Sequence, residues 1–170
     1  MPTRQGRGSA FSLAMQALIT AANSSAVREG IYEASDFPLK DDLQAFLLVN
    51  QLIYRTTARP TDLADAIGTG RSNVSKIVRR LEIAGLVGRM PDPDDGRHSV
   101  VGLTAEGRVV AGRIAGVVST SYDIVFEQWS DEEFDLLETS VVRLVSDIDR
   151  QMDHLVERVS GVTLPRPDPQ

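Results

Sequence analysis

Thr61-Asp-Leu-Ala-Asp-Ala-Ile-Gly68, then Arg71-Ser-Asn-Val-Ser-Lys-Ile-Val-Arg-Arg-Leu-Glu-Ile83, then Asp95-Gly-Arg97-His-Ser-Val-Val101-Gly-Leu103-Thr104 is the run that decides the fold. Thr61 reads as a helix N-cap with Asp62 in the favourable first turn, and Gly68 stops the helix after about two turns. A second helix starts near Arg71, capped by Gly70 or Thr69, and ends at Gly85. Leu86–Met90 and Ser99–Leu103 are short strand candidates, and Asp95-Gly96 supplies the turn of a longer hairpin loop between them. Two short helices, a tight glycine turn and a hairpin with an arginine at its tip suit a helix-turn-helix with a wing.

The second helix splits into two faces. At 100° per residue, Val74, Ile77, Val78 and Leu81 share one side, while Ser72, Ser75, Lys76 and Arg79 share the other, with Asn73 and Arg80 at the edge. An apolar side to seat the helix and a hydrogen-bonding, cationic side to meet base edges and phosphates is what a recognition helix needs. Arg97 at the hairpin tip fits a minor-groove contact, because the groove's negative potential attracts a guanidinium. Asp95 is placed to orient it through a charge-assisted hydrogen bond.

Working outward, Thr56–Pro60 reads as a loop and Asp41 or Asp42 as the cap of a preceding helix with Leu43, Phe46, Leu47, Gln51 and Tyr54 near one stripe. Ser9–Ala22 is almost uncharged and apolar all round, the pattern of a helix buried in a core or against another chain. Thr104 caps a long helix with Val110, Ile114, Val117, Val118 and Val125 on one face. Ser130-Asp-Glu-Glu133 is a capping box opening another helix, where Phe134, Val141, Ile148 and Leu155 recur every seven residues.

Composition restricts the chemistry. The 170 residues include no cysteine, which excludes disulfides, thiolate metal sites and thiol redox switches. His98 and His154 lie far apart, without a nucleophile or metal partner in the sequence around them. Asp92–Gly96 fails the spacing of a calcium loop. No catalytic constellation, cofactor motif or metal set is read. No 18-residue apolar span and no persuasive signal peptide are read either, so the expected compartment is cytoplasmic, without a membrane partner. Net charge is −6, but its distribution is polar. Arg71, Lys76, Arg79, Arg80 and Arg89 stand against Glu82 alone, a local +4, whereas residues 122–158 carry −8.

Five segments, Leu63–Gly68, Arg71–Ser75, Leu81–Val87, Arg89–Arg97 and Val101–Gly107, resemble the MarR family of winged-helix regulators. The wing pattern D-x-R-x-x-x-V-x-L-T is complete from Asp95 to Thr104, and the clear match covers residues 61–108. Gly70, Met90 and Gly102 depart from the family's frequent serine or basic residue. The resemblance implies a homodimer joined through its terminal helices, with one recognition helix per subunit in successive major grooves of double-stranded DNA. It implies DNA contacts from Ser72, Asn73, Ser75, Lys76 and Arg97; the cationic helix adds Arg71 and Arg79 to the expected DNA-binding set, with Asp95 orienting the wing. It also implies release by a small anionic or phenolic effector held between the dimerisation and DNA-binding regions.

The expected architecture is therefore mainly α with a small β-hairpin. A flexible arm covers 1–8, an N-terminal dimerisation helix region 9–34, the winged helix-turn-helix 41–104, C-terminal dimerisation helices 105–159 and a disordered tail 160–170. The expected function is that of a non-enzymatic transcriptional regulator, a repressor, on a pseudo-palindromic operator. The competing reading is a winged-helix adaptor that uses its acidic surface to bind protein.

Overall fold

A computed structural model describes residues 5–93 and 95–162. Of the expected arm, residues 1–4 lie outside the described residues, and residues 5–8 are helical rather than irregular. Of the expected tail, 163–170 lie outside them, and Ser160 closes a helix.

Two helices, α1 (Gln5–Ala22) and α2 (Ser25–Ala34), precede the central unit. Ser24 separates them and caps α2, its hydroxyl accepting the Val27 N–H at 3.2 Å. Helix thus resumes two residues before Val27, at a cap the sequence supplies. α3 (Leu43–Ile53) starts at Asp42, whose carboxylate accepts the Ala45 N–H at 3.0 Å. Asp41, the other candidate cap, sits in the left-handed region at φ 62° and turns the chain instead.

The face of α3 that enters the core is Ala45, Phe46, Leu48, Val49 and Leu52. The stripe expected from the sequence is rotated from it, because α3 is apolar on nearly every side and its periodicity marks no single face. Phe37 and Phe46 meet edge-on with ring centres 5.6 Å apart, closing one end of the core.

A two-residue strand, β1 (Thr57–Ala58), stands where the sequence reads as loop. It is too short to show alternation and exists only by pairing antiparallel with β3 (Ser99–Leu103), Thr57 opposite Gly102 and Ala58 opposite Val101. Gly102 suits that pairing: a Cβ there would come within 3.2 Å of the Thr56 carbonyl and 3.0 Å of the Met90 methyl. β3 also pairs with β2 (Val87–Pro91), giving an antiparallel sheet in the order β1-β3-β2.

α4 (Pro60–Ala66) starts two residues earlier than expected. Arg59, not Thr61, occupies the N-cap position with extended backbone and no side-chain cap bond. Pro60 takes the first helical position, where its fixed φ is helical and its missing N–H costs nothing. Thr61 Oγ1 donates instead to Asp62 at 3.2 Å. Gly68, at φ 65°, reverses the chain between α4 and α5 (Arg71–Ile83), a conformation cheap only for glycine.

α6 (Ala105–Phe126) runs out of the wing. Thr104 caps it as read, accepting the Gly107 N–H at 3.0 Å, and Glu106 lies in its first turn. Val110, Ala111 and Ile114 enter the core, but Val125 at its far end is exposed. By length and composition α6 is long and apolar enough to cross a membrane, and little of it is buried. The expectation of no such span is thereby corrected. Its first half packs on α3 and α2 in the core.

α7 (Asp131–Gln151) opens on the expected capping box, Ser130 and Glu133 satisfying each other's backbone N–H groups. The heptad stripe does not run on through Leu155. The chain turns at Asp153 and His154, both left-handed, and Leu155 begins a separate short helix, α8 (Leu155–Ser160). No residue of α7 is buried.

The joint between wing and α6 is tight. A Cβ on Gly107 would lie 1.9 Å from the Leu86 carbonyl oxygen, which itself accepts the Thr104 N–H at 3.0 Å. Gly107→Ala must displace backbone, and we expect it to lower stability by about 1–3 kcal/mol or more. The check is the urea midpoint, and an unchanged midpoint would show that this approach is not required.

Candidate nucleic-acid interface

The core seats α5 by the side chains read from its periodicity: Val74, Ile77, Val78 and Leu81 are all fully buried. Full burial of such side chains is worth about 1.5–3 kcal/mol each. It leaves little freedom in how the opposite face is presented. That opposite face carries Arg71, Ser72, Ser75, Lys76 and Arg79, all exposed. Ser75 is partly engaged, its hydroxyl donating to the Arg71 carbonyl at 3.2 Å.

The local +4 is not all available to a ligand. Arg80 makes a two-point contact with Asp42, Nε at 2.6 Å and Nη2 at 3.0 Å. Arg89 pairs with Glu82 at 3.0 Å. Among the described residues, Arg71, Lys76 and Arg79 have no acidic partner.

Asn73 is placed differently from the serines around it. It is half-buried, and its Nδ2 donates to Gln44 Oε1 at 3.0 Å and Thr69 Oγ1 at 2.9 Å. With Arg80–Asp42, this makes a second tie between α5 and the start of α3.

In the wing, Arg97 is 88% exposed at the side chain, and both ends of its Nε/Nη2 fork donate to Asp95, at 3.0 and 3.2 Å. The Arg97 N–H donates to the same carboxylate at 3.2 Å. These bonds, the side-chain one foremost, hold the Asp95 carboxyl below its ordinary range. The pair anticipated from the sequence is thus formed.

A second wing ion pair was not legible. Asp92, with 4% of its side chain exposed, accepts from Arg59 Nε at 2.6 Å. Asp92 also donates its N–H to the His98 carbonyl at 3.0 Å. The start of the wing-tip loop is thereby fastened to the N-cap of α4. In the sequence Asp92 is one of three acids in a turn, and its partner lies 33 positions away.

His154 also departs from expectation, since the structure gives it carboxylate neighbours. Its Nδ1 lies 3.0 Å from Asp149 and 3.9 Å from Glu157, a trio with donor spacing that could hold a cation. Asp149 has a structural task as well: the Glu157 backbone N–H donates to it at 3.0 Å, and that bond leads in lowering its pKa. It serves the start of α8.

Between α1–α2, α3, α4 and α6 lies a cavity of about 420 Å³ lined by Arg28, Phe46, Asn50, Tyr54, Ile67 and Val118, among others. Arg28 donates to the Asn23 carbonyl through one terminal nitrogen. Its Nε is buried with no hydrogen-bond partner among the described residues, a costly state for a charged group.

The geometry has the order of a winged helix, and comparison with known proteins agrees. The sequence profile of the MarR family matches residues 43–99, from the start of α3 to the first residue of β3. That span holds α3 to α5 and most of the hairpin, so this part of the chain is similar to the MarR family. Among solved structures, the chain is similar to a MarR family protein from Bacillus stearothermophilus, with TM-score 0.63, 20% identity, and coverage of 84% of this chain and 96% of that one. It is similar to the transcriptional regulator Tm0710 from Thermotoga maritima, with TM-score 0.61, 19% identity and coverage of 85% and 98%. Wild-type MarR from E. coli, without ligand, gives TM-score 0.53, 19% identity and coverage of 76% and 95%. These likenesses concern the fold, and they extend it beyond the profile match to most of the chain. Among curated proteins no sequence matches.

Burial of Asp42 pushes its carboxyl up, but hydrogen bonds from Arg80 and the Ala45 N–H, with the Arg80 charge, bring it below the ordinary value. A carboxyl lowered in the folded state adds stability that is fully present above the unfolded pKa of about 3.9 and is lost as pH falls through the folded value. Asp42→Asn keeps a good cap but loses the ion pair. Wild type should exceed it by at most about 1 kcal/mol at pH 6, since Arg80 is half-exposed, and the two should converge below about pH 4. A gap in urea midpoints that does not change from pH 6 to pH 3 would refute the contribution of the pair.

Proposed function

We propose that the chain is a homodimeric, cytoplasmic, non-enzymatic repressor that binds a pseudo-palindromic operator and is released by a small anionic or phenolic effector. The observation that carries this reading is the outer face of α5. Arg71, Ser72, Ser75, Lys76 and Arg79 stand exposed on it, its three cations without acidic partners among the described residues. Arg97 lies at the wing tip, aimed by Asp95. In this assignment Ser72, Asn73 and Ser75 read base edges, and Arg71, Lys76 and Arg79 contact phosphates or bases. Arg97 enters the minor groove.

The dimer rests on unpartnered apolar surface. Phe11, Leu13, Leu18 and Ile19 of α1, Ile124 of α6 and Leu136 of α7 are exposed, more than a soluble monomer ordinarily shows. A dimer joined there spaces two α5 helices by about one turn of DNA, roughly 10 bp. It also keeps the acidic C-terminal helices away from the duplex.

In gel-shift titrations across a salt series, Lys76→Ala and Arg97→Ala should each weaken operator binding. Where the deleted side chain met a phosphate, the slope of log K against log salt should fall by about 0.9. Wild-type affinity and slope in both variants would remove the assigned roles. An adaptor for proteins would show no salt-dependent retention on DNA.

The effector reading rests on the cavity beside Arg28, where a carboxylate or phenolate would supply the acceptor that Nε lacks. With 4-hydroxybenzoate as probe, operator release is expected from wild type. It should be abolished or need at least about tenfold more probe in Arg28→Gln, the effect of one charge-assisted hydrogen bond, with DNA affinity in the absence of probe unchanged. Equal release from both proteins would place the effector elsewhere.

A further inference from the structure

The amide of Asn73 is held in a way that limits what it can read. Nδ2 carries two hydrogens. Gln44 Oε1 takes one at 3.0 Å and Thr69 Oγ1 the other at 2.9 Å. What remains is Oδ1, an acceptor with no hydrogen-bond partner among the described residues. In the major groove an acceptor meets a donor only at the exocyclic amino groups, N6 of adenine and N4 of cytosine. Guanine and thymine present acceptors there. The familiar two-point contact of asparagine with adenine also needs an amide N–H for N7, and both are spent here.

We propose that Gln44 and Thr69 lock Asn73 as an acceptor-only reader, so that each half-site has one position selecting adenine or cytosine over guanine or thymine on the contacted strand. The inference rests on the DNA-binding reading above. Gln44 lies in α3, outside the recognition helix, and acts as a positioning residue through Asn73. It is absent from the buried face of that helix, so its replacement leaves the core intact.

The test is selection from random-sequence duplex DNA with wild type, Asn73→Ala, Gln44→Ala and Gln44→Glu. Asn73→Ala identifies the position, as the one whose preference flattens. At that position wild type should favour adenine and cytosine by about fivefold, the effect of one net hydrogen bond. Gln44→Glu keeps an acceptor for Nδ2 and should keep the wild-type preference. Gln44→Ala frees one N–H, and the preference should sharpen to adenine over cytosine.

Guanine or thymine at that position in wild type, the same preference in wild type and Gln44→Ala, or no position flattened by Asn73→Ala would each overturn the inference while leaving DNA binding intact. No enrichment of any DNA by wild type would overturn the DNA-binding reading and this inference with it.

Discussion

Thr104 holds three parts of this molecule to one point. Its N–H donates to the Leu86 carbonyl at 3.0 Å, and its hydroxyl donates to the Gly85 carbonyl at 2.6 Å while accepting the Gly107 N–H at 3.0 Å. Gly85 and Leu86 follow α5, Thr104 ends the wing and Gly107 begins α6. The end of α5, the root of the hairpin and the start of α6 therefore cannot move independently. Gly107 permits this: with any side chain there, the Leu86 carbonyl could not come so close. A motion of α6 at this joint is a motion of α5 and the wing.

The second constraint is electrostatic economy. A chain of net charge −6 presents a cationic face by separating its charges, and it also commits cations to construction. Arg80 and Arg59 are fasteners, one tying α5 to Asp42 and the other tying α4 to the buried Asp92. At 4% exposure Asp92 has little contact with water, and Arg59 supplies the charged donor that a buried carboxylate needs. The cations that remain for a ligand sit on surfaces these pairs have oriented.

Much of this was legible in the residues. The buried face of α5, the capping box at Ser130, the Thr104 cap, the Asp95–Arg97 pair and the hairpin each follow from local signals of spacing or side-chain reach, and each is found in place. What escaped depends on partners distant in sequence. β1 has no pattern of its own and is defined by Gly102 across the sheet. Arg59–Asp92 spans 33 positions and Asn73–Gln44 spans 29. Asp153 and His154 break a heptad stripe that periodicity alone carries through. The rotated face of α3 has a different cause: apolar residues run past the core face to Leu47 on the cavity side, so periodicity marks no single face.

That double face gives α3 a particular position in the molecule. Phe46, Leu47, Asn50, Gln51 and Tyr54 line the cavity, while Asp42 and Gln44, at the start of the same helix, hold Arg80 and Asn73 of α5. A helix of 11 residues transmits displacement along its axis with little attenuation, because its backbone bonds are internal and its core face is close-packed. An occupant that shifts the C-terminal half of α3 must therefore strain the Asp42–Arg80 and Gln44–Asn73 contacts or drag α5 with it. Either response changes the presentation of the face that carries Lys76 and Arg79. The effector release proposed above would then need no long relay, since one rigid element touches both the cavity and α5.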